Sequence, residues 1–145
     1  MERVTLEFPE AMIVHRHPLS VRITDMNYGR HLAHDAVVTL MAEARAQAFA
    51  ALGLPEWDID GYPSVVADLS LIFQREARFP DTLTIETAIP APEGKALVVF
   101  HRILNQQREP VATARVTMLL IDTAVGKPVA VPMALARALD AARGA

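Results

Sequence analysis

The stretch from Asp25 to Gly53, DMNYGRHLAHDAVVTLMAEARAQAFAALG, decides the fold, because a polar loop there leads into one long helix. The loop, Asp25 to Arg30, combines Asp and Asn, which hydrogen-bond their own backbone, with Gly29, which permits a sharp turn. The helix is predicted from about Asp35 to Leu52, since apolar side chains recur at helical spacing and Gly53 is a stop signal. The apolar stripe consists of Val37, Leu40, Met41, Ala44, Ala48 and Leu52.

Outside this stretch the hydrophobic period changes to two, which is typical of strands. A first strand is predicted before the loop, over Met12 to Thr24, with Pro18 marking an edge or a bulge. A polar loop over Asp122 to Pro128 precedes a short terminal helix from Pro132 to about Ala142. Four strands are predicted between the two helices, at Pro63 to Ala77, Thr82 to Ile89, Ala96 to Leu104 and Val111 to Ile121.

Short connections between the later strands predict antiparallel neighbours. The fold class is therefore α+β, with one long central helix wrapped by a curved, mostly antiparallel sheet of about five strands. One helix cannot cover such a sheet alone. Either the sheet curls around the helix, or its open face and edges meet a partner.

Composition excludes several classes of protein. The 145 residues predict one domain, and 52% apolar with 21% charged residues argues against disorder. The absence of cysteine excludes disulfides and thiolate sites, and the net charge of −3 gives no footprint for nucleic acid. No apolar run approaches the roughly 20 residues of a membrane span, and Met1 to Thr5 lacks a signal-peptide pattern, so a cytoplasmic protein is expected. A mean hydropathy of +0.22 with 6% aromatic residues indicates surplus aliphatic surface.

Four segments, in this order and spacing, carry a resemblance that extends over about the whole chain. They are Asp25 to His34, Glu43-Ala44-Arg45, Phe73 to Leu83 (FQREARFPDTL), and Asp122 to Pro128 followed by Pro132. The chain resembles the hotdog-fold acyl-CoA thioesterases of the 4-hydroxybenzoyl-CoA thioesterase type. The resemblance implies a single hotdog domain over residues 1–145, a hydrolase without cofactor, and a homodimer or homotetramer that binds neither nucleic acid nor membrane.

The resemblance also implies where the chemistry occurs. In such proteins the acyl group lies along the long helix at a subunit interface, and backbone N–H groups at the helix N-terminus polarise the thioester carbonyl. The first N–H groups of any helix are unpaired and carry positive partial charge, which suits the oxyanion formed when water attacks. The segment from Gly29 to Asp35 is expected to supply these groups.

A carboxylate is the second requirement, and here the sequence departs from the family. Asn27 stands where the family has its catalytic Asp, and an amide can position a water or donate a hydrogen bond but cannot act as a base. Asp35 is the first substitute, because it lies at the helix start with the expected oxyanion donors; the alternative is that it only stabilises the helix N-terminus. Asp25 is expected to point away from Asn27, and Asp68, inside an apolar strand, could reach a partner's helix across a dimer.

The remaining candidates each have two interpretations. His31 matches the family's His and either orients a carboxylate or bonds the loop backbone, with the structural role favoured. Asn27 and Gly29 either form the turn or shape the site, and Tyr28 packs on the acyl group or fills an interface. Arg30 is assigned with Tyr28, Gly29 and Asp68 to substrate binding. No metal site is expected from His15, His17, His34 and His101, and Arg75, Arg78 and Arg102 either meet CoA phosphates or are solvated.

Three functions are compatible with this sequence. The first is acyl-CoA thioester hydrolysis by water attack, with Asp35 as the base. The second is a non-catalytic acyl-CoA or fatty-acyl binding protein of the same fold, which Asn27 favours. The third is a hydratase or dehydratase, although the acid/base motif expected of that class is not found in the sequence.

Overall fold

The structure, a computed structural model, describes residues 3–144. This range contains six strands and two α-helices, joined by turns and loops. No helix in this range is long and apolar enough to cross a membrane. The fold class is α+β, as the sequence predicts. The elements are β1 (Ile13–Ser20), α1 (His34–Ala51), β2 (Ser64–Phe73), β3 (Thr82–Ala88), β4 (Ala96–Leu104), β5 (Pro110–Asp122), β6 (Lys127–Val129) and α2 (Met133–Gly144).

The strands form one curled antiparallel sheet in the order β1-β3-β4-β5-β2, and β6 pairs with the end of β5. The sixth strand lies partly within the predicted loop over Asp122 to Pro128, where Lys127 pairs with Asp122. Short connections predicted that β2 and β3 are neighbours, and this is wrong, because β2 pairs with β5 while β3 lies between β1 and β4.

The connection 74–81 explains that difference, because it crosses one end of the sheet. At its start, the backbone N–H groups of Gln74 and Arg75 both donate to the Val111 oxygen of β5, at 2.8 and 3.2 Å. At its end, the Asp81 oxygen accepts a hydrogen bond from the Val21 N–H, just after β1, at 2.8 Å. The crossing carries the chain from one edge of the sheet to its other half.

The first strand is shorter than predicted and ends at Ser20. Residues Ile23–Asp25 instead form a 3₁₀ turn, which is closed when the Arg22 backbone N–H and guanidinium both bind the Asp25 carboxylate. The ion pair between Arg22 and Asp25 stabilises this turn, and β1 therefore ends before it. Pro18 lies in β1, an edge strand, opposite Thr84, and the irregular register falls earlier, between Ile13 and His15.

Helix α1 packs against the sheet through the predicted stripe, with one change. Phe49 is fully buried, whereas Leu52 follows the helix and is half-buried. The helix ends at Ala51, where Gly53 takes a positive φ of 76° and its N–H bonds the Ala50 oxygen at 3.0 Å. Helix α2 begins at Met133, directly after Pro132, and buries Leu135 and Leu139.

Strand β2 is an edge of the sheet and exposes several apolar side chains. Val65, Val66 and Leu69 expose between 40% and 49% of their surface. The strand bulges between Val66 and Asp68, where the pairing with β5 shifts register. A long apolar edge strand with an unpaired backbone is a surface on which another strand can pair.

Candidate active site

A tight turn places Asn27 and His31 together just before α1. The Asn27 N–H donates to the His31 oxygen at 2.9 Å, and the His31 N–H donates to Asn27 Oδ1 at 3.2 Å. Arg30 inside the turn has a positive φ of 66°, and its N–H bonds the Asn27 oxygen at 3.1 Å. A Cβ on Gly29 would lie only 3.2 Å from Asn27 Oδ1, so the turn favours the smallest residue there.

The His31 ring reaches across to the connection 74–81. Its Nε2 lies 2.9 Å from Oε2 of Glu76, and the side chains are 32% and 68% exposed respectively. Both residues line a cavity of about 340 Å³, together with Asn27. The other lining residues are Leu32, His34, Val37, Phe73, Gln74, Arg75, Ala77 and Val111.

The first turn of α1 also borders this cavity, through His34 and Val37. Ala33 is the N-cap, and no side chain in residues 3–144 caps the helix there. The Val37 N–H makes the first bond of the helix, to the Ala33 oxygen at 3.1 Å, so the N–H groups of the three preceding residues have no partner within the helix. Unpaired N–H groups with the positive end of the helix dipole favour negative charge.

The three aspartates considered as substitutes for the family's Asp lie in different places. Asp25 is buried, and the hydrogen bond from the Arg22 guanidinium lowers its pKa below the ordinary value. Asp35 is exposed in the first turn of α1, and Asp68 is exposed on the edge strand β2. None of the three lines the cavity.

The residues assigned to substrate binding are also dispersed. Tyr28 is fully exposed and does not pack on its own chain. Arg30 lines a second pocket of about 480 Å³, beside Arg78 and Phe79, and Asn27 lines both pockets. The structure therefore brings Asn27, Gly29 and His31 together with Glu76, and it leaves Asp68 apart.

The other histidines are not a ligand set. Within residues 3–144, no group of three or more His, Cys, Asp or Glu side chains could hold a metal ion. His101 is fully buried, and burial, aided by the nearby Arg45 cation, lowers its pKa to about 3. Arg102 binds Glu86 and Glu10 at 2.7 Å each, so it is engaged in ion pairs rather than free for a ligand.

Glu76 is the residue that the sequence analysis did not single out. It lies in the segment Phe73 to Leu83, which carries part of the resemblance, but a single acidic residue between Arg75 and Ala77 has no spacing that marks it. A tertiary hydrogen bond brings it to His31: the Leu32 N–H donates to the Ala77 oxygen at 2.7 Å.

Comparison with solved structures shows the same fold in thioesterases. A DHNA-CoA thioesterase from Staphylococcus aureus aligns with a TM-score of 0.76 and 18% identity, over 89% of this chain and 90% of that one. A thioesterase from Thermus thermophilus, complexed with coenzyme A and Zn, aligns with a TM-score of 0.80 and 20% identity, over 92% of this chain and 97% of that one. These likenesses confirm the expected hotdog fold.

The sequence comparisons agree with the structural ones. A curated relative from Agrobacterium fabrum, an L-carnitine dehydrogenase/betainyl-CoA thioesterase, is 28% identical over 116 residues, which cover 79% of this chain. The chain spans only 24% of that protein's length. The family model described as the thioesterase-like superfamily matches residues 21–139, a range that holds the turn, α1 and Glu76. Since this match covers most of the chain, the protein belongs to the thioesterase-like superfamily.

Proposed function

We propose that the protein is a thioesterase that hydrolyses an acyl-CoA or acyl-carrier thioester in the cavity at the start of α1. One observation carries the proposal: the first turn of α1, which no side chain of the described residues caps, borders the cavity that also holds the pair His31–Glu76. Hydrolysis of a thioester needs a donor for the oxyanion and a base for water, and these two groups meet here.

The N–H groups of His34, Asp35 and Ala36 are the proposed oxyanion donors. Water attack on the thioester carbonyl moves negative charge onto its oxygen, and prepositioned backbone N–H groups stabilise that charge without reorganising. Asn27, held in the turn by His31, contributes an amide that positions water or substrate. The base is one of two carboxylates: Asp35, predicted from the sequence, or Glu76, which lies in the cavity.

The proposed substrate class is supported by the relatives and by charge beside the cavity. The curated relative is named a betainyl-CoA thioesterase, and the solved Thermus thermophilus protein carries coenzyme A. Arg30 and Arg78 flank the second pocket, which shares Asn27 with the cavity. Two guanidinium groups at that position suit the phosphates of coenzyme A, while the thioester occupies the cavity.

We further propose that two copies pair along β2. The apolar residues Val65, Val66 and Leu69 are exposed on this edge, which offers unpaired backbone to a second strand. In such a dimer α1 becomes the long central helix wrapped by the combined sheet, and Asp68 faces the partner. Sedimentation equilibrium should then give twice the chain mass of 15.9 kDa, or four times for a pair of dimers, and a monomer would contradict the pairing. A single domain over residues 1–145 and a cytoplasmic location stay predictions.

A coenzyme A release assay tests the proposed activity directly. The panel contains short, long and aromatic acyl-CoAs together with betainyl-CoA, and free thiol is followed with a chromogenic disulfide reagent. The protein contains no cysteine, so the reagent reports only the released coenzyme A. We expect turnover of at least one member, well above the rate without protein, and no release from any of them would overturn the proposal.

A non-catalytic acyl-CoA-binding protein of the same fold is the second candidate. Asn27 favours it, because the amide replaces the family's carboxylate and its Oδ1 is used by the His31 N–H within the turn. Thermal stabilisation by an acyl-CoA without release of coenzyme A would support binding alone. Measurable turnover would exclude it.

A further inference from the structure

We infer that Glu76 is the general base of this site and that His31 is the residue that positions it. This inference rests on the proposed thioesterase activity and names the carboxylate that Asn27 cannot supply. The observation behind it is the contact of 2.9 Å between His31 Nε2 and Glu76 Oε2 on the wall of the cavity.

Location selects Glu76 from the carboxylates of the chain. Among the residues that line the cavity in the described range 3–144, it is the single acidic one. Asp25 is bound by Arg22, and a carboxylate in an ion pair of 2.9 Å, buried beneath the turn, is not available to a water. Asp35 and Asp68 are exposed outside the cavity.

The backbone around Glu76 is fixed by its neighbours. Ala77 is buried, and its oxygen accepts the hydrogen bond from the Leu32 N–H at 2.7 Å. On the other side, Gln74 and Arg75 donate to the Val111 oxygen. Glu76 therefore projects from a segment that is anchored at both ends. Such anchoring holds a base in place before the substrate arrives.

The hydrogen bond from His31 leaves part of the carboxylate free. When His31 Nε2 carries a hydrogen, it donates to Oε2, and Oε1 keeps its lone pairs for a water molecule. The side chain of Glu76 is 68% exposed, so water reaches it from the cavity mouth. The bond also fixes the rotamer of a long side chain that otherwise samples several orientations.

The reaction then balances without a cofactor. Glu76 accepts a proton from water as the water oxygen bonds to the thioester carbon, and the carbonyl electrons move onto oxygen beside the α1 N–H groups. When the tetrahedral intermediate collapses, the C–S bond breaks and the sulfur leaves with the electron pair. Glu76 returns its proton to the sulfur, so the products are a carboxylic acid and the thiol of coenzyme A.

The test compares four variants on the acyl-CoA that the wild type hydrolyses fastest. We expect Glu76→Gln to lower kcat by about 100-fold or more, the usual contribution of a general base, with KM nearly unchanged. Glu76→Asp should recover part of the rate. Glu93→Gln, on the exposed turn between β3 and β4, is the matched control and should keep the full rate. Asp35→Asn tests the base predicted from the sequence.

The pH profile separates a chemical role from a structural one. The wild-type rate should fall on the acid side as one carboxylate takes up a proton, and this limb should be missing from the residual rate of Glu76→Gln. His31→Ala should lower kcat while keeping this limb, and His31→Gln, which can still donate to Glu76, should recover part of the rate. A thermal midpoint close to that of the wild type checks that each variant is folded.

The outcomes distinguish the two proposals. If the wild type hydrolyses acyl-CoA and Glu76→Gln keeps more than about a tenth of its rate, Glu76 is not the base, although the thioesterase proposal stands. If Asp35→Asn abolishes turnover and Glu76→Gln does not, Glu76 is again not the base, and the thioesterase proposal still stands. If the wild type releases no coenzyme A, the proposed function fails and the role of Glu76 fails with it.

Discussion

Two histidines of this chain bond to neighbouring side chains, in opposite surroundings. His31 contacts Glu76 on the wall of an open cavity, and its side chain is 32% exposed. His101 is fully buried, with its Nδ1 3.0 Å from Thr87 Oγ1 and its Nε2 3.5 Å from the Arg45 guanidinium. Burial lowers the pKa of His101 to about 3, although this histidine lies outside the cavity. A shifted pKa by itself therefore does not locate the site here.

The cluster of His101, Thr87 and Arg45 is a polar layer inside the core. Along β4, His101 lies between Val99 and Ile103, which belong to two separate apolar clusters. Arginine can only donate, so His101 Nε2 accepts from it and Nδ1–H donates to Thr87. With its bonds satisfied in the neutral form, His101 holds the layer together and offers nothing to a ligand.

Arg45 extends the layer to the loop after α1. Its Nε binds Glu56 at 3.0 Å, with side-chain exposures of 11% and 21%, and the Glu56 oxygen accepts bonds from the backbone and hydroxyl of Ser64. The Arg45 of the Glu43-Ala44-Arg45 motif thus connects α1 to the start of β2. Its role in this chain is structural.

Replacement of Arg45 should lower the free energy of unfolding more than any other change considered for this layer. In Arg45→Met the Glu56 carboxylate loses its cation and His101 loses a donor, so we expect the free energy of unfolding to fall by about 3 kcal/mol, as when one partner of a buried pair is removed. Urea unfolding at neutral pH measures it.

The matched controls for this prediction are two exposed pairs near the cavity. Arg75→Met removes the contact with Glu109, where both side chains are more than 40% exposed, and His31→Gln alters the contact with Glu76. Each should change the free energy of unfolding by less than about 1 kcal/mol. If the free energy of unfolding fell equally in all three variants, the buried layer around Arg45 would stabilise the fold no more than the exposed pairs do.

Much of the fold follows from periodicity in the sequence. Strand β4 occupies the predicted residues Ala96–Leu104, and α1 starts one residue earlier than predicted, at His34. Period and stop signals are local, so each element can be recognised alone. The order of strands is not local: the neighbours of β2 depend on how the connection 74–81 crosses the sheet, and hydrogen bonds to Val21 and Val111 fix that course.

The candidate site was predictable to the same degree. The turn with Asn27, Gly29 and His31 is encoded in one short stretch, so its residues are found together. Glu76 is distant in sequence and joins them through tertiary contacts, namely the bond between Leu32 and Ala77 and the contact with His31. The polar layer could not be predicted from the sequence for a similar reason. A single histidine in β4 does not indicate that α1 places Arg45 against it.

The buried His101 should make the free energy of unfolding depend on pH. In the unfolded chain His101 has an ordinary pKa near 6.5, whereas in the folded chain it stays neutral down to a pKa of about 3. Below pH 6.5 the unfolded state therefore binds one more proton than the folded state, and stability is lost as pH falls. The expected loss approaches about 1.4 kcal/mol per pH unit across that window.

The variant His101→Gln removes this titration while keeping an oxygen that can accept from Arg45. We expect urea unfolding between about pH 5 and pH 6.5, where few carboxylates titrate, to give a slope shallower by about 1 kcal/mol per pH unit than in the wild type. A smaller slope of the same sign should remain, because burial and the neighbouring His17 also lower the pKa of His15. His31→Gln, at the open cavity, should leave the slope caused by His101 intact. An unchanged slope in His101→Gln would mean that water reaches this histidine in the folded protein, and the contrast between the two histidines would then be lost.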